Sequence, residues 1–336
     1  IICILYNKFR EGRDNIMVFI SRDNAADILT ARQAPAAFCE SGDTVIFETR
    51  DCYDDNDITE ENPLGTKGEK LENPSTGPLF VEGAWPGDIL KAEIRKIELR
   101  DYGIMRTSTT GGAFCHLYKE RTARRFFFSH HPETGHLGFW FDQKLWLNAD
   151  PMIGVIGTAP AKEGVPAITP GSHGGNMDCR RIRQGSVLYL PVSVPGALLS
   201  VGDLHALMGD GETGICGLET AGEVTVQVTV IKEAEKRKNP EEFRIFQAMR
   251  GALPLLAEGG QLMTIQSAET LDQAAFLAAN RMRELAAAAS GMDLVNSGMA
   301  MSLLGDLAVC QIVNPLKTVR CQFPLEVLAR YGFYLD

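Results

Sequence analysis

The sequence lacks the compact signatures by which many metal, redox and membrane proteins are identified. Its eight cysteines are scattered and form no Cys-x-x-Cys pair, which excludes a zinc ribbon and a thioredoxin-like redox motif. No apolar stretch approaches the roughly 20 residues of a membrane helix. No basic cluster stands out in a chain of net charge −10. We therefore expect a cytoplasmic protein with reduced thiols that binds neither nucleic acid nor membrane.

The first 16 residues differ from the rest of the chain. Residues 1–6 are apolar but few, and basic residues follow them rather than precede them, which is not the order of a signal peptide. A more regular sequence begins at Met17. We therefore interpret residues 1–16 as a leader or a vector-derived segment and assign them no function.

Residues 17–232 have the pattern of a mainly β region. Segments that alternate in polarity or are rich in β-branched residues are bounded by Gly, Pro, Asn or Asp, which predicts short strands in a sandwich or barrel-like arrangement. The predicted strands are Thr44–Thr49, Asp88–Arg95, Val187–Val194 and Glu223–Ile231. The recurring Gly-Asp pairs at Asp43 and Asp88 are interpreted as turn residues that bind local backbone.

Residues 233–336 are predicted to form an α+β part. A charged connector at 233–240 is followed by apolar residues at helical spacing, which predicts a helix over Ala268–Ser290 with Ser267 as its N-cap. We expect a second helix over Met292–Leu304 and a strand over Leu307–Val313. The fold class is therefore mainly β, with catalysis expected in 17–232.

Residues 101–150 are predicted to be an irregular excursion. They include a basic-aromatic run at 124–128 and three histidines, His130, His131 and His136. A long insertion of this kind is typical of a lid or a subunit contact. For the basic-aromatic run we favour an ordinary edge strand over a binding patch, and we expect the histidines at the surface or an interface.

Polar donors are concentrated between Gly171 and Glu219, among glycines that let the backbone approach closely. Proteins build metal sites from oxygen and nitrogen donors that rigid elements such as strand ends hold in place. The donors in this stretch are His173, Asn176, Asp178, Asp203, His205, Asp210, Glu212 and Glu219. This stretch is the main reason to expect an enzyme.

The order and spacing of several segments between about residue 41 and 231 match those of a known family, with weaker similarity in the tail. The segments are residues 42–52, 73–78, 81–84, 86–90, 172–179, 188–192, 195–205 and 208–212. Together they resemble the acetamidase/formamidase family. It implies hydrolysis of short amides such as formamide or acetamide to carboxylate and ammonia. It also implies a mainly β architecture with a C-terminal α+β part, in a homodimer or higher homo-oligomer.

Amide hydrolysis needs an activated nucleophile, a stabiliser of the oxyanion and a proton donor for the leaving nitrogen. A zinc-type ion lowers the pKa of a bound water to about 7 and polarises the carbonyl, so it supplies the first two. We expect the ion to be zinc, with calcium as an alternative structural ion. Its predicted ligands are Asp178 and His205, followed by Asp51 and Glu219.

Other polar residues of the stretch are assigned catalytic or supporting roles. Asn176 is expected to bind the metal or the substrate, and His173 is either a site residue or a loop residue held by backbone. Glu219 or Glu212 is expected to carry the proton to the leaving group. Asp203 and Asp210 are interpreted as residues that orient a histidine.

Two alternatives remain open. Cys179 follows Asp178 and precedes two arginines, which would suit a thiolate amidase. As a strand residue next to Asp178, however, it should face the opposite side of the sheet, so we interpret it as a buried thiol. A β-sandwich that binds a small ligand without catalysis is the second alternative, although this chain keeps all its paired donors.

The chain departs from the family's pattern at two places, residues 53–57 and the excursion 101–150. If the excursion shapes the substrate pocket, the natural amide is larger than formamide.

Overall fold

A computed structural model describes residues 17–66, 68 and 70–335 of the chain. The proposed leader, residues 1–16, lies outside the described residues. Within them the chain forms 23 strands, which we number β1–β23, and five α-helices, α1–α5. No helix in this part of the chain combines the length and apolar character that crossing a membrane requires.

The first large sheet contains nine strands that are antiparallel except for the pair β1 and β5. In spatial order they are β1 (Met17–Ile20), β5 (Thr44–Thr49), β19 (Gly222–Ile231), β7 (Ile89–Leu99), β16 (Val187–Pro191), β20 (Leu255–Glu258), β21 (Gln261–Ala268), β23 (Lys317–Pro324) and β22 (Asp306–Gln311). Strands from both ends of the chain therefore share one sheet.

The second large sheet also contains nine strands. Its main path is β15 (Gly174–Asn176), β13 (Met152–Gly157), β17 (Ala197–His205), β18 (Glu219–Thr220), β8 (Tyr102–Arg106) and β9 (Ala123–Phe127). A branch adds β6 (Ser75–Val81), which pairs with β17, with β2 (Ala25–Ala26) and with β4 (Ala37–Cys39). All nine residues of β17 are buried, so this strand lies at the centre of the molecule.

Two small sheets and two 3₁₀ turns complete the β region. One sheet joins β10 (Ser129–His130), β11 (Leu137–Trp140) and β12 (Trp146–Asn148), and the other joins β3 (Ile28–Leu29) to β14 (Val165–Pro166). The 3₁₀ turns are Arg22–Asn24 and Cys115–Leu117.

The two large sheets pack face to face around one apolar core. In β5, Val45 and Phe47 are fully buried while the residues between them are only half-buried, which is the alternation of a strand with one face in a core. The core continues through Leu188 and Leu190 of β16 and Leu199 and Val201 of β17. This confirms the expected mainly β sandwich.

The C-terminal part carries the helices. They are α1 (Glu233–Lys236), α2 (Pro240–Ala252), α3 (Leu271–Ser290), α4 (Leu294–Leu304) and α5 (Leu325–Ala329). Helix α3 buries Ala274, Ala278, Met282 and Leu285 at helical spacing. The small alanines let it approach the sheet so closely that the Thr264 hydroxyl of β21 donates to the carbonyl of Ala278 over 2.7 Å. The expected α+β part is thus confirmed.

Several predicted boundaries are wrong. Ser267 does not cap a helix, because it lies in β21, where its hydroxyl bonds that of Thr318. The cap is Thr270, whose side chain accepts from the Gln273 amide, so α3 begins at Leu271. The second helix begins at Leu294 and the last predicted strand spans Asp306–Gln311. The charged connector includes α1, and α2 was not predicted.

The expected irregular excursion at 101–150 contains five short strands, which corrects the prediction in part, while more than half of its residues lie outside strands. It contributes β8 and β9 to the second sheet and all of β10–β12. The basic-aromatic run forms β9 at the edge of its sheet, as expected, and the three histidines lie at the surface. Among the other strands, Thr44–Thr49 has the predicted bounds, and the remaining three shift at one or both ends.

Candidate active site

The predicted donors meet at one end of the second sheet. His205 is the last residue of β17 and pairs with Glu219 of β18 across the antiparallel ladder, so both side chains lie on the same face. Asp203 precedes His205 by two positions on β17. Asp178 follows β15, and Glu212 lies in the turn after β17. The sheet therefore assembles four carboxylates and one histidine from four separate segments.

His205 is the centre of this cluster. Its Nε2 lies 3.1 Å from Glu219 Oε1, 3.5 Å from Asp203 Oδ1 and 3.9 Å from Asp178 Oδ1. The histidine is 1% exposed and the three carboxylates are no more exposed than 3%. One imidazole thus faces three buried carboxylates at once.

Two groups of side chains have the geometry to hold a metal ion. Asp178, His205 and Glu212 form one group, and Cys52, Asp203 and Glu219 form the other. Within each group one potential ligand atom per residue lies within 4.8 Å of the others. Carboxylate, imidazole and thiolate are the donors that zinc binds in proteins.

Buried acceptor atoms without a hydrogen-bond partner surround the same point. They are Asp178 Oδ1, Glu212 Oε2, Glu219 Oε2, Asn176 Oδ1 and Asn73 Oδ1. An unsatisfied buried polar atom costs about 1–3 kcal/mol, and more when it is charged. A bound cation removes this cost, so the donor set fits a divalent metal, and its imidazole nitrogen favours zinc over calcium.

The crowding of acids shifts their pKa values upward. Burial raises the pKa of Glu219 to about 8, although His205 works against the shift. Burial, with the neighbouring charge of Asp203, raises the pKa of Asp178 to about 7. Burial and the Asp178 charge also raise the pKa of Glu212. Protons, or a cation in their place, are therefore needed at neutral pH to hold these carboxyls together.

For Asp203 and His205, the neighbouring charges and hydrogen bonds shift the pKa more than burial does. Burial opposes the charged form of each, yet the charges of Glu219 and Asp203 raise the pKa of His205. The imidazole in turn lowers the pKa of Asp203, assisted by hydrogen bonds. This carboxylate and this imidazole accordingly form the charged pair inside the cluster.

Three of the four carboxylates lie on strained backbone. The φ angles are +43° at Asp178, +55° at Asp203 and +45° at Glu212. Side chains other than glycine rarely adopt this left-handed region, and residues held there cost on the order of 1–3 kcal/mol and concentrate at functional sites. These backbone conformations lower the stability of the fold, and they direct the three carboxylates toward the same point.

Glycines make room for the cluster at two positions. A Cβ atom at Gly154 of β13 would lie 2.5 Å from Asp203 Oδ2 and 2.6 Å from Asp178 Oδ1. A Cβ atom at Gly217 would lie 2.6 Å from Nδ1 of His205. Both distances are shorter than any stable contact, so only glycine leaves the carboxylates and the ring where they stand.

Asparagines from distant segments orient the carboxylates. Asn314, in the loop after β22, donates from Nδ2 to Asp178 Oδ2 over 2.5 Å and to the Asn176 carbonyl over 3.0 Å. Asn73 donates from Nδ2 to Asp203 Oδ2 over 3.3 Å. Neither residue was among the predicted site residues. Asn73 opens the Asn-Pro-Ser-Thr-Gly-Pro segment, which was a usable signal, whereas Asn314 stands before a proline in a tail without a motif.

Asp51 lies apart from both metal-binding groups. Its Oδ1 accepts from the backbone amides of Tyr53 and Asp55 and so holds the loop that carries Cys52. Burial and the charge of Asp55 raise its pKa to about 6. The adjacent Cys52, which was not predicted as a ligand, is the residue of this segment that reaches the cluster.

Asn176 lies beside the cluster, and His173 lies three positions before it in the chain. Asn176 ends β15, is 4% exposed and lines the same cleft as Glu219. His173 is 6% exposed, its Nε2 has no partner among the described residues, and burial lowers its pKa to about 4. It is therefore a neutral imidazole at physiological pH.

Cys179 and Asp210 lie away from His205. Cys179 belongs to the apolar core between the sheets, where a hydrogen bond from Cys310 lowers the pKa of its thiol. Asp210 forms a bidentate ion pair with Arg320 instead of orienting a histidine. The two guanidinium nitrogens of Arg320 lie 2.6 and 2.8 Å from the two carboxylate oxygens. The arginines expected beside Cys179 bind carboxylates elsewhere, Arg180 with Asp150 and Arg181 with Glu258.

The cluster lies at the base of an open cleft of about 370 Å³. Asn176, Asp203, Glu212 and Glu219 line its inner part, together with Cys52 and Cys216. Exposed residues of the 101–150 segment and of the loop before β6 line its outer part. A small polar molecule can therefore reach the carboxylates from solvent.

Comparison with known proteins identifies the family to which this fold belongs. The model of the acetamidase/formamidase family matches residues 158–253. The crystal structure of acetamidase from Bacillus halodurans is 41% identical, with 94% of this chain and all of that chain covered and a TM-score of 0.84. A predicted acetamidase/formamidase from Thermoanaerobacter tengcongensis is 36% identical, with 96% and 100% covered and a TM-score of 0.86.

Among characterised sequences, a putative formamidase from Schizosaccharomyces pombe is 27% identical over 217 residues. That match covers 47% of this chain and 51% of the yeast protein, so the chain spans about half the length of this relative. The two bacterial structures, by contrast, are matched along their whole length at more than a third identity. On this evidence the chain belongs to the acetamidase/formamidase family.

Proposed function

We propose that the protein is an amidohydrolase that cleaves the C–N bond of short-chain aliphatic amides, such as formamide and acetamide, into carboxylate and ammonia. The observation that carries the proposal is the cluster around His205, where four carboxyls are buried together beside an open cleft and three of them have an oxygen without a hydrogen-bond partner. Structural ion pairs are rarely built with this excess of one charge, since like charges repel in a low dielectric.

A divalent metal ion, which we take to be zinc, completes this site in the proposal. Asp178 and His205 are its first ligands, joined by Glu212 or Glu219, which lie within reach of the same atoms. Asp51, first considered as a ligand, serves here to hold the Cys52 loop. Such an ion polarises the amide carbonyl and activates water.

The chain's own residues bind the amide and handle its protons. Asn176 Oδ1 and Asn73 Oδ1 are buried acceptors without partners, suited to the NH₂ group of a primary amide. Glu219, a buried carboxyl that faces His205 and lines the cleft, is placed to deliver a proton to the departing nitrogen. His173 is buried and neutral, so it adds no charge to this part of the protein.

Ammonia release from formamide, acetamide and propionamide tests the proposal. The purified chain should release ammonia, lose this activity on complete chelation and regain it with zinc. Asp178→Asn should abolish activity, whereas Asp101→Asn, a change of the same charge at an exposed position, should not. Full activity after verified metal removal would overturn the metal part, and inactivity of the zinc-loaded chain toward all amides would overturn the hydrolase.

One observation supports the alternative in which a thiolate attacks the amide, namely the lowered pKa of Cys179. Its sulfur is fully buried in the core, however, which leaves no path for a substrate carbonyl. Cys179→Ala separates the two mechanisms, because a thiolate amidase loses all activity while a metal amidase keeps it. Metal analysis separates the metal amidase from a binding module without catalysis, for which stoichiometric zinc is not expected.

We also propose that the protein is a homo-oligomer. Helix α4 exposes a row of large apolar side chains, with Leu303 82% and Val295 67% exposed, and Phe276 of the neighbouring α3 is 70% exposed. Contiguous apolar patches of this kind mark interaction surfaces, and a second copy covers them with the same patch in a twofold dimer. Cytoplasmic location, expected from the scattered thiols, remains a prediction.

A further inference from the structure

The outer part of the cleft is basic, although the whole chain is acidic with a net charge of −10. Arg106, Arg121 and Lys70 line the same cleft as the buried carboxyls of the site. Lys70 and Arg121 are exposed and Arg106 is half-buried, so these basic groups stand toward solvent. One exposed acid, Glu72, also lines this outer part, which leaves it with a net positive charge, opposite to that of the inner part.

Arg106 is held in place without an ion pair among the described residues. It is the last residue of β8, and its backbone exchanges hydrogen bonds of 3.4 Å with the Cys216 thiol. Its guanidinium carbon lies 4.9 Å from the centre of the Tyr53 ring, a cation–π arrangement. Among residues 17–66, 68 and 70–335 no carboxylate forms an ion pair with it. The guanidinium is therefore fixed yet free to bind an anion.

Arg121 stands at the same end of the hairpin. Ala123, the first residue of β9, pairs with Arg106 of β8, so Arg121, two positions earlier, lies near the strand end that carries Arg106. Within the described part of the chain it also has no ion pair. Other arginines of this hairpin differ, since Arg125 pairs with Asp57 and Arg124 lies 3.9 Å from Glu60.

We propose that the preferred substrate is an anionic amide, the ω-amide of a short dicarboxylic acid. The inference rests on the proposed function. The amide group lies at the His205 cluster, and the distal carboxylate binds the Arg106 and Arg121 guanidinium groups. Guanidinium binds carboxylate through two parallel hydrogen bonds, and the buried carboxyls repel the same group. Both effects orient the substrate with its amide inward.

The test compares amides that differ in charge alone. Ammonia release is measured for succinamate, the neutral butyramide and the cationic 3-aminopropanamide, with the zinc-loaded chain. We expect kcat/KM to be about ten- to a hundredfold higher for succinamate than for butyramide, the range of a charge-assisted hydrogen bond. This preference should shrink at high salt because exposed charges are screened. Equal rates for the two amides would overturn the inference.

Arg106→Gln and Arg124→Gln form the matched pair of variants. Both remove one positive charge from the same hairpin, but Arg124 stacks on Phe126 and Phe141 outside the cleft. Arg106→Gln should lose the preference for succinamate while the rate on butyramide stays within about twofold, and Arg124→Gln should keep it. An equal loss on both amides would assign Arg106 a structural role and overturn its role as a recognition residue.

The measurements distinguish a failure of the proposed amidase function from a failure of the anionic-substrate inference. If no amide releases ammonia, the proposed function fails, and binding alone then tests the inference. In that case calorimetry should still show that succinamate binds the zinc-loaded wild-type chain at least tenfold more tightly than Arg106→Gln. Equal affinities would overturn the anionic-ligand proposal independently of catalysis.

Discussion

Glu219 and His205 face each other across neighbouring antiparallel strands, with Oε1 of the glutamate 3.1 Å from Nε2 of the histidine. The register of β17 and β18 alone sets this contact, because opposite residues of an antiparallel pair share one face of the sheet. Asp203, on the same strand as His205, lies 3.5 Å from the same nitrogen. The centre of the site is therefore as rigid as the ladder that carries it.

Metal removal should destabilise the folded chain. A ligand present at a thousandfold excess over its Kd stabilises the native state by about 4 kcal/mol, so zinc should raise the melting temperature of the chelated protein by on the order of 5 °C. Thermal melts with and without zinc measure this. His205→Ala should melt at the same temperature in both conditions, and a zinc shift that persists in this variant would contradict the assigned site.

Gly154→Ala should weaken zinc binding and shift the backbone locally, because the new Cβ atom would also lie 2.8 Å from the carbonyl oxygen of Asp203. Its new Cβ atom would lie 2.5 and 2.6 Å from the carboxylates of Asp203 and Asp178, which must move apart. Competition with a coloured chelator measures the Kd, which we expect to rise about ten- to a hundredfold. Gly251→Ala is the control, because it has open space in α2 and should stabilise the helix by about 0.5–1 kcal/mol. Unchanged zinc affinity in Gly154→Ala would remove these carboxylates from the metal site.

Asn314→Ala should also lower zinc affinity, through the orientation of Asp178. The amide nitrogen of Asn314 holds Asp178 Oδ2 and the Asn176 carbonyl at once. Residues that orient metal ligands contribute about ten- to a hundredfold in affinity or activity. The measurement is again the zinc Kd, together with kcat on acetamide. Asn296→Ala, on exposed helix α4, is the control, and a variant at 314 with wild-type Kd and kcat would refute this role.

The metal-free protein should lose stability as the pH rises. Asp178 and Glu219 have folded-state pKa values of about 7 and 8, above their unfolded values near 4. Between pH 4 and 8 the folded state therefore binds more protons than the unfolded state, so the free energy of unfolding falls with increasing pH. Melting temperatures of the chelated protein at pH 5, 6, 7 and 8 measure the slope.

Glu219→Gln provides the control for this slope. The amide cannot titrate, so the pH dependence of the metal-free variant should be shallower than that of wild type. A melting temperature of the chelated wild-type protein that rises from pH 5 to 8 would contradict the raised pKa values.

Leu303→Glu should dissociate the proposed oligomer. Leu303 is 82% exposed on α4, so a charge there costs the isolated chain little but is expensive inside an apolar interface. Light scattering after gel filtration measures the mass, which should fall to that of one chain, 36.7 kDa. Ser302→Glu, next to it on an exposed position, shows whether any added charge has this effect. A wild-type protein that is already monomeric would contradict the oligomer.

The ligands predicted within the 171–219 stretch come together in the structure, whereas Asp51, predicted from a separate segment, lies in neither metal-binding group. Asp178, His205 and Glu219 come from the dense stretch 171–219, and β13, β17 and β18 bring them together. Asp51 was predicted on its own, and the carboxylate turns instead to the Tyr53 and Asp55 amides. Its neighbour Cys52, in the turn that follows, is the residue of this segment that reaches the cluster.

Residue patterns within a segment predicted the ends of a strand or helix correctly where tertiary packing favoured the same ends. The alternation of Thr44–Thr49 specified a strand with the observed ends, because one face is buried and the other is not. The helix cap failed at Ser267 because pairing of β21 with β23 extends the strand through this residue. Two cap residues three positions apart are equivalent in the sequence, and only the partner strand distinguishes them.

The sequence by itself determined the fold class, the family resemblance and the chemical character of the 171–219 stretch, since these depend on patterns local to the chain. Only the tertiary structure decided that Asn314 holds Asp178 from 136 positions away, and that Asn73 holds Asp203 from 130 positions away. It also placed Arg106 at the mouth of the same cleft. The physical reason is that a side chain's charge and hydrogen bonds act over a few ångströms, and the folded sheets set which residues come within that range.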